Sequence, residues 1–340
     1  MDFMMNFEPA KQSSLISYRD KILLMGSCFT EHIGNALADA RFSLLQNPNG
    51  ILFDTHSVCR SLVDYTTNKQ YDESELFRLN EVWNSWFHHS RFSDTDKMEA
   101  LKRINGLQQV AHHFVKEADW VIITLGSSFS YRITDTGKKE GAFVDEGTPV
   151  ANCHRAPAAW FRKHMMTIQE SIESLDGCLH RLWQFNPRLK FIFTVSPVRH
   201  LRDGVVENNR SKARLIETVH HLVNKFENLY YFPAYELVID VLRDYRFYDI
   251  DFAHPNYLAT EYVLKKFMRA CLDEETQQLM EEMKKISLAR RHKPFQPATS
   301  AHKQFLKSSA AKAEELQKRY PFLNLKEDLD YFNAAQKISE

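Results

Sequence analysis

Five short apolar runs, separated by longer stretches with helical periodicity, constrain the fold of this chain more than any other feature. Each run is bounded by polar or turn-forming residues, as is typical of a buried strand. The runs are KILLM (21–25), FSLLQ (42–46), DWVIITL (119–125), LKFIFTV (189–195) and NLYYFP (228–233). Strands that alternate with helices are joined by right-handed crossovers into a parallel sheet covered on both faces. We therefore predict an α/β fold, a three-layer α/β/α sandwich with a mostly parallel sheet of about five strands.

Loops rich in small, polar or turn-forming residues follow the first four of these runs. In an open parallel sheet, ligands bind outside the carboxyl ends of the strands, where such loops converge. A further segment places Asp251 and His254 just before a predicted helix. We expect the functional site at this edge of the sheet, formed by residues 26–28, 47–50, 126–128, 196–200 and 251–254.

Composition narrows the class of protein. The chain has 340 residues, 44% of them hydrophobic, which is enough to bury one large core or a core plus an appendage. Lys plus Arg and Asp plus Glu both total 44, so no overall field favours nucleic acid or an anionic membrane. The amino terminus lacks a signal-peptide pattern, and no apolar run reaches the roughly 18 residues that span a bilayer. We expect a cytoplasmic protein that binds neither nucleic acid nor membranes.

The cysteine and histidine patterns predict neither disulfides nor metal. The five cysteines are odd in number, scattered and without a CxxC pair, so we expect free thiols. Adjacent histidine pairs point in different directions and make poor joint ligands, and no HExxH is present. No P-loop or GxGxxG occurs either, so the sequence predicts no cofactor.

The chain changes character near residue 275. Residues 276–340 are charge-rich and helix-prone, with a linker, KPFQPATS, at 293–300. Acidic and basic residues alternate there, which is typical of a solvated helical face. We predict a catalytic domain over 1–275 and a helical extension over 276–340. The extension packs either on the domain or between subunits, and in the second case the protein is a homo-oligomer joined through these helices.

The spacing of Asp251 and His254 fits an acid–base pair. Residues three apart on a turn can meet, so Asp251 can accept from the imidazole of His254 and leave its other nitrogen free as a base. The alternative is that Asp251 only caps the following helix while His254 packs beside it. Ser27 follows the first strand at the same predicted edge, and a serine hydroxyl becomes a useful nucleophile when such a base takes its proton.

Six segments carry a family resemblance. In chain order they are GSCFTEHIG (26–34), NPNGILFD (47–54), TLGSSFSYR (124–132), NCHRAP (152–157), SPVRHLRDG (196–204) and DFAHPN (251–256). Together they resemble the GSCFA domain family, which is related to the SGNH (GDSL-like) hydrolases. The resemblance runs from about residue 20 to 260 and implies an SGNH-like fold of flavodoxin-like topology and a serine esterase activity.

The resemblance implies a role for each matching residue. Ser27 would be the nucleophile, with Asp251 as the acid and His254 as the base. Gly50 resembles the second-block glycine whose backbone N–H helps to bind the oxyanion, together with the N–H of Ser27.

The third oxyanion donor is open, because the matching loop reads Gly126-Ser127-Ser128 where the superfamily has an asparagine. The side chains that could replace it are those of Asn49, Asn152, Ser127 and Ser128. Three further residues in matching segments are expected to line the substrate pocket, namely His154, Arg199 and His200.

The leading hypothesis is an esterase that cleaves an O-acyl ester, of a carbohydrate or another alcohol, through Ser27, Asp251 and His254. The same triad could transfer the acyl group to a second alcohol. The fold could also serve as an inactive module that binds a glycan or partner. A thiol enzyme that uses Cys28 is a further alternative, although the resemblance assigns the nucleophile to Ser27.

Overall fold

The computed structural model describes residues 5–338 and contains the predicted strands. Each of the five predicted runs forms a strand whose ends differ from the prediction by no more than two residues. The strands are β1 (Lys21–Gly26), β2 (Ser43–Gln46), β3 (Phe77–Leu79), β4 (Val82–Asn84), β5 (Trp120–Leu125), β6 (Phe129–Ile133), β7 (Pro149–Val150), β8 (Phe161–Met165), β9 (Lys190–Val195) and β10 (Leu229–Tyr231).

Helices occupy most of the remaining chain. They are α1 (Cys28–Asp39), α2 (Thr55–Thr67), α3 (Lys97–Glu117), α4 (Asp135–Gly137), α5 (Ile168–Phe185), α6 (Gly204–Lys225), α7 (Ala234–Glu236), α8 (Tyr257–Cys271), α9 (Glu274–Arg291), α10 (Ser300–Arg319) and α11 (Lys326–Ile338). Short 3-10 or π-helical turns lie at Glu73–Glu75, Ser90–Phe92, Lys138–Ala142, Ala158–Trp160, Leu201–Asp203, Leu237–Leu242 and Tyr245–Phe247.

The central sheet is parallel throughout and has the order β10-β9-β5-β1-β2. Numbered along the chain, these strands follow the flavodoxin-like order 2-1-3-4-5. The chain moves outward from β1 to β2 and then crosses back over β1 to β5, so the winding reverses between β1 and β5. That reversal opens a crevice at the carboxyl ends of β1 and β5, which is where doubly wound folds bind ligands. The predicted fold class and topology are confirmed.

Apolar side chains cover both faces of this sheet. Ile22 and Leu24 of β1 pack in one cluster with α1, α8 and α9, whereas Leu23 and Met25 pack in another with α2, α3, α5 and α6. Strands buried on both faces read as continuous apolar runs, because neither face can carry polar residues. This burial explains why the sequence shows five apolar runs rather than alternating patterns.

Two insertions form a small lobe beside the sheet. The β3-β4 hairpin and the antiparallel β7-β6-β8 sheet share a third core cluster. Trp86 is buried in it, stacks on Phe77 with ring centroids 3.7 Å apart, and donates its indole N–H to the carbonyl of Ala142. The aromatic segment 82–92 therefore supports this lobe. The lobe positions the loop 151–158 over the crevice.

The carboxy-terminal helices pack on the α/β domain. Leu306 of α10 and Phe332 of α11 belong to the same core cluster as α1 and α8. Asp328 of α11 is fully buried and accepts from Nε and Nη2 of Arg41, at 3.0 and 2.7 Å. The predicted boundary at 275/276 falls inside α9, which itself contributes buried side chains to the domain core.

Candidate active site

Ser27 lies at the turn from β1 into α1, at the reversal of the sheet. Gly26 ends β1 with a φ of +136°, and a β-carbon there would come within 2.2 Å of the carbonyl oxygen of Thr124, so only glycine fits. Ser27 caps α1, because its Oγ accepts the backbone N–H of Phe29 at 3.3 Å. Its side chain is well enclosed, since the residue is only 4% exposed.

Asp251 and His254 form the predicted pair. His254 Nδ1 lies 2.6 Å from Asp251 Oδ2, and Asp251 Oδ1 accepts the backbone N–H groups of His254 and Ala253 at 3.0 and 2.9 Å. These two N–H groups and the imidazole lower the pKa of Asp251 to about 2. The carboxylate therefore stays ionised at neutral pH and holds the proton of the imidazole on Nδ1, which leaves Nε2 as the acceptor.

The loop that carries this pair is tied to the carboxyl edge of the sheet. The backbone N–H of Arg199, in the loop after β9, donates to the carbonyl of Ala253 at 3.1 Å, and its Nη1 donates to the carbonyl of Phe252 at 3.1 Å. The helix that follows the pair, α8, lies beside α1, since Tyr257 of α8 and His32 of α1 line one cavity. The acid–base pair thus lies next to the β9 loop and at the start of a helix that neighbours α1.

Ser27 and His254 share this edge without direct contact. Among residues 5–338, no hydrogen bond joins the Ser27 hydroxyl to the His254 imidazole, and Ser27 Oγ contacts the N–H of Phe29 instead. The structure brings Asp251 and His254 into contact and places Ser27 at the turn after β1, and the catalytic role of the three residues stays a prediction. The contact between serine and base is not formed.

Three of the predicted oxyanion donors are already engaged in hydrogen bonds within the protein. The N–H of Ser27 donates to the carbonyl of Thr124 at 3.1 Å, and the N–H of Gly50 donates to the carbonyl of Asn47 at 2.8 Å. The Asn49 side chain is buried, donates to Ser61 Oγ and accepts from the hydroxyl of Tyr65. These three groups are paired within the protein and do not point to a ligand.

Asn47 is a candidate donor that sequence reasoning missed. Its Oδ1 accepts the N–H of Gly26 at 2.9 Å, which places the amide directly beside the Ser27 turn. Its Nδ2 is buried and has no hydrogen-bond partner within the described part of the chain. Buried amide donors are rarely left unpaired, so this group is available to an oxygen that enters the site. The only sequence signal for Asn47 was its place as the first residue of NPNG, and the glycine of that motif was predicted as the donor instead.

A cavity of about 650 Å³ opens over β5 and β9, close to Ser27, although neither Ser27 nor His254 lines it. It is lined by the loops at 151–158 and 199–203 and by the first residues after β5. Five of the predicted oxyanion-donor and pocket residues line it, namely Ser127, Asn152, His154, Arg199 and His200. Gly126 joins it to the nucleophile, because a β-carbon on Gly126 would lie 2.7 Å from Phe53 Cβ, in the cavity wall, and 3.2 Å from Ser27 Cβ.

The two pocket histidines are neutral at pH 7. Burial lowers the pKa of both His154 and His200 to about 4. His154 Nε2 lies 2.8 Å from the carbonyl oxygen of Ser85, and the His200 ring packs 5.7 Å from the ring of Phe53. Both rings form the wall of the cavity and contribute no positive charge to it.

One face of α6 holds the loops of the site in place. Asn208 Oδ1 accepts the N–H of His200 at 2.9 Å, and Ser211 Oγ accepts the N–H of Ser128 at 2.8 Å. Lys212 is only 1% exposed and donates from Nζ to the carbonyls of Gly126 and Ser196, at 2.5 and 2.7 Å. Burial lowers the pKa of Lys212 to about 7. Residues three and four apart lie on one side of a helix, so α6 presents all three side chains to the loops after β5 and β9.

The remaining predicted features concern thiols, metals and membranes. Burial raises the pKa of the Cys28 thiol, which keeps it protonated and makes it a poor nucleophile. Within residues 5–338, no three His, Cys, Asp or Glu side chains lie close enough to hold a metal ion together. None of the helices in that range has both the length and the apolar character needed to cross a bilayer.

Comparison with known proteins identifies the family. Residues 21–267 match the family described as "GSCFA family". The chain belongs to the GSCFA family. Residues 283–337 match a second description, "GSCFA domain protein, C-terminal domain". The predicted membership is confirmed, and Ser27, Asp251 and His254 all lie within the first match.

More distant comparisons add little to the family match. No curated protein sequence matches this GSCFA chain. Among solved structures, the crystal structure of a carbohydrate esterase family 3 from Talaromyces cellulolyticus is similar, with 10% sequence identity and a TM-score of 0.35. The similarity covers 77% of this chain and 99% of the esterase chain. A likeness this remote has no bearing on the activity of the GSCFA protein.

Proposed function

We propose that this GSCFA protein is an ester hydrolase related to the SGNH hydrolases, in which Ser27 attacks an O-acyl ester of a carbohydrate or another alcohol. The 2.6 Å contact between Asp251 and His254, at the sheet edge where Ser27 caps α1, is the observation that carries the proposal. It supplies a carboxylate, an imidazole with a fixed tautomer and a free Nε2, which is the base that an activated serine requires.

Attack requires a local rearrangement. Ser27 Oγ must leave the N–H of Phe29 and reach Nε2 of His254, and such contacts often form only when substrate is bound. His254 then takes the hydroxyl proton while Oγ attacks the ester carbonyl. The Asp251 carboxylate stabilises the imidazolium that results, and His254 returns the proton to the leaving alcohol.

Two donors remain for the oxyanion. Cys28 provides the first N–H of α1, which has no backbone acceptor among the described residues, and the positive end of the helix dipole favours negative charge there. The unpartnered Nδ2 of Asn47 is the second donor. Loss of one such donor typically lowers kcat by about 10²- to 10³-fold.

The acyl-enzyme passes to water in an esterase and to a second alcohol in an acyltransferase. Both outcomes use the same three side chains, so the acceptor held in the pocket decides between them. An inactive binding module is the second candidate. It is favoured by the engaged N–H groups of Ser27 and Gly50 and by the absence of a Ser27–His254 hydrogen bond within the described residues.

Hydrolysis of p-nitrophenyl acetate tests the proposal. We expect measurable turnover by the wild type and a loss of at least about 10³-fold in kcat for Ser27→Ala and for His254→Ala, because each removes an essential member of the triad. The exposed Ser90 gives a matched control, since Ser90→Ala should keep the wild-type rate. Unchanged turnover in a folded Ser27→Ala protein would refute the mechanism.

A further inference from the structure

We propose that the cavity beside Ser27 binds a small organic anion, so that the ester substrate carries a carboxylate or phosphate group. This inference rests on the proposed function for its placement in a reaction, and it extends that function to the substrate class. Four cationic side chains line the cavity, Arg155, Lys163, Arg199 and Arg202, against a single carboxylate, Asp203.

The excess of positive charge is local. Over the whole chain, basic and acidic residues balance at 44 each, so the cavity is not positive merely because the protein is. A cleft lined by one sign of charge focuses the field and raises the local concentration of an oppositely charged ligand. The concentration of cations in this one concavity therefore points to an anionic ligand.

Two of the four cations have neither an ion pair nor a hydrogen bond within the described part of the protein. Lys163 pairs with Asp203, and Arg199 is occupied by the carbonyl of Phe252. Arg155 and Arg202 are exposed, and neither forms an ion pair or a hydrogen bond with any of the described side chains. Guanidinium groups bind carboxylate and phosphate through paired N–H donors, which makes these two side chains suited to reading such a group.

These two arginines come from facing loops of the cavity. Arg155 belongs to the loop at 151–158, and Arg202 to the loop after β9. Both loops line the same cavity, so an anion held between them would meet both guanidinium groups.

The backbone that carries Arg155 is strained. His154 and Arg155 are consecutive residues in the left-handed region, with φ of 48° and 58°. Asn152 Oδ1 holds the turn by accepting the N–H of His154 at 2.8 Å. Residues other than glycine seldom adopt this conformation, and strain of this kind persists where the surroundings enforce it, often at ligand sites. Here it places Arg155 at the cavity mouth.

Aromatic rings supply the other part of the cavity wall, namely Phe53, Phe129, Tyr131 and Phe161. A wall of this kind favours an anion borne on an organic ring over a bare inorganic ion, since the ring can stack on the aromatic faces. The volume of about 650 Å³ lies within the usual range for small-molecule sites. Phe53 also contacts Gly126, next to Ser27, so a ligand anchored on Arg155 and Arg202 extends along Phe53 toward the nucleophile.

Calorimetric titration of the full chain with matched charged and neutral sugars tests the inference. The probes are methyl β-D-glucuronide, glucose 6-phosphate, the neutral methyl β-D-glucoside and inorganic phosphate. We expect at least one charged sugar to bind tenfold or more tightly than the glucoside, with an affinity that weakens as salt rises. Which of the two charged sugars binds more tightly shows whether the cavity prefers a carboxylate or a phosphate group.

Charge-removing variants localise the binding. The double variant Arg155→Met, Arg202→Met should lose at least tenfold in affinity for the charged sugar and keep its affinity for the glucoside. Arg162→Met is the matched control, because Arg162 is exposed on β8 and does not line the cavity. Both arginines of the double variant are exposed, so folding should persist, and the melting temperature checks that it does.

Three results would overturn the inference. The first is equal affinity for charged and neutral sugars, and the second is inorganic phosphate bound as tightly as either charged sugar. The third is a loss of charged-sugar affinity in Arg162→Met as large as that in the double variant. The titrations are repeated on Ser27→Ala, because binding does not need the nucleophile. Charged-sugar binding without Ser27-dependent turnover would refute only the hydrolase. Turnover without charge preference would refute only the anionic substrate.

Discussion

Ser27 and the pair Asp251–His254 set the chemistry that this fold can perform at the residue scale. The sheet reversal places the serine at a helix start, and the Asp251 carboxylate fixes the imidazole tautomer from 2.6 Å away. Neither residue type is reactive alone, since the serine needs a base and the base needs an orienting acceptor. Because the serine and the pair lie at one edge of the sheet, the motif DFAHPN can supply the base for the serine.

The substitution Asp251→Asn separates the role of Asp251 in orienting the His254 imidazole from its role in capping the loop. The amide oxygen can still accept the N–H groups of Ala253 and His254, but its NH₂ would face Nδ1 and favour the wrong imidazole tautomer. We expect kcat to fall by about 10³- to 10⁴-fold with little change in melting temperature. The exposed Asp249 provides a control, Asp249→Asn. A wild-type kcat in Asp251→Asn would mean that Asp251 only caps the loop.

At the scale of elements, α6 organises the site more than any other helix. Its side chains at Asn208, Ser211 and Lys212 hold the loops after β5 and β9, and the same face continues into the core through Leu215 and Val219. The NNRSKAR segment of this helix carried no recognisable motif. Its function depends on which loops it faces, and that follows from the tertiary fold.

The lowered pKa of Lys212 predicts that the free energy of unfolding rises with pH. Its pKa is lowered by burial to about 7 in the folded chain, against about 10.4 when unfolded, so between these values the unfolded state binds more protons. The free energy of unfolding therefore increases from pH 7 toward pH 10. A neutral amine still has two N–H groups for the carbonyls of Gly126 and Ser196, so deprotonation keeps both contacts.

Urea unfolding at pH 7, 8, 9 and 10 measures this effect. The slope of unfolding free energy against pH should be smaller in Lys212→Met than in the wild type. Lys225 lies on the same helix, is exposed and pairs with Asp176, so Lys225→Met serves as the control. Identical slopes in Lys212→Met and the wild type would show that the buried amine does not titrate in this range.

The sequence predicted the elements better than it predicted the site. The five sheet strands and the Asp251–His254 contact follow from apolar runs and short-range spacing, which are local properties, whereas the strand order was an implication of the family resemblance. The prediction of the oxyanion donors could not take distant acceptors into account, because a backbone N–H is free only if no other strand accepts from it. Thr124 accepts from Ser27 across 97 residues of chain, a contact that no local pattern encodes.

At the scale of the whole molecule, buried histidines make the folded state less stable as the pH falls. Burial lowers the pKa of His88 to about 3 and of His56, His154 and His200 to about 4. Below the unfolded value of about 6.5, the unfolded chain binds protons that the folded chain excludes. The free energy of unfolding therefore falls as the pH drops from about 6.5 toward these folded values.

The melting temperature at pH 7, 6 and 5 checks this prediction. His88→Asn should reduce the dependence on pH, because it removes the most deeply buried of these imidazoles. His113 is exposed on α3, and His113→Asn should leave the dependence unchanged. A melting temperature that stays constant from pH 7 to pH 5 in the wild type would contradict the account of the buried histidines.

Covalent labelling of Ser27 tests the central claim most directly. A fluorophosphonate reacts with an activated serine, and mass spectrometry locates the adduct without any knowledge of the natural substrate. We predict an adduct on Ser27 in the wild type and in Ser90→Ala, and none on that peptide in Ser27→Ala or His254→Ala. A folded wild type that stays unlabelled, or an adduct that persists on Ser27 in His254→Ala, would contradict activation of Ser27 by the Asp251–His254 pair.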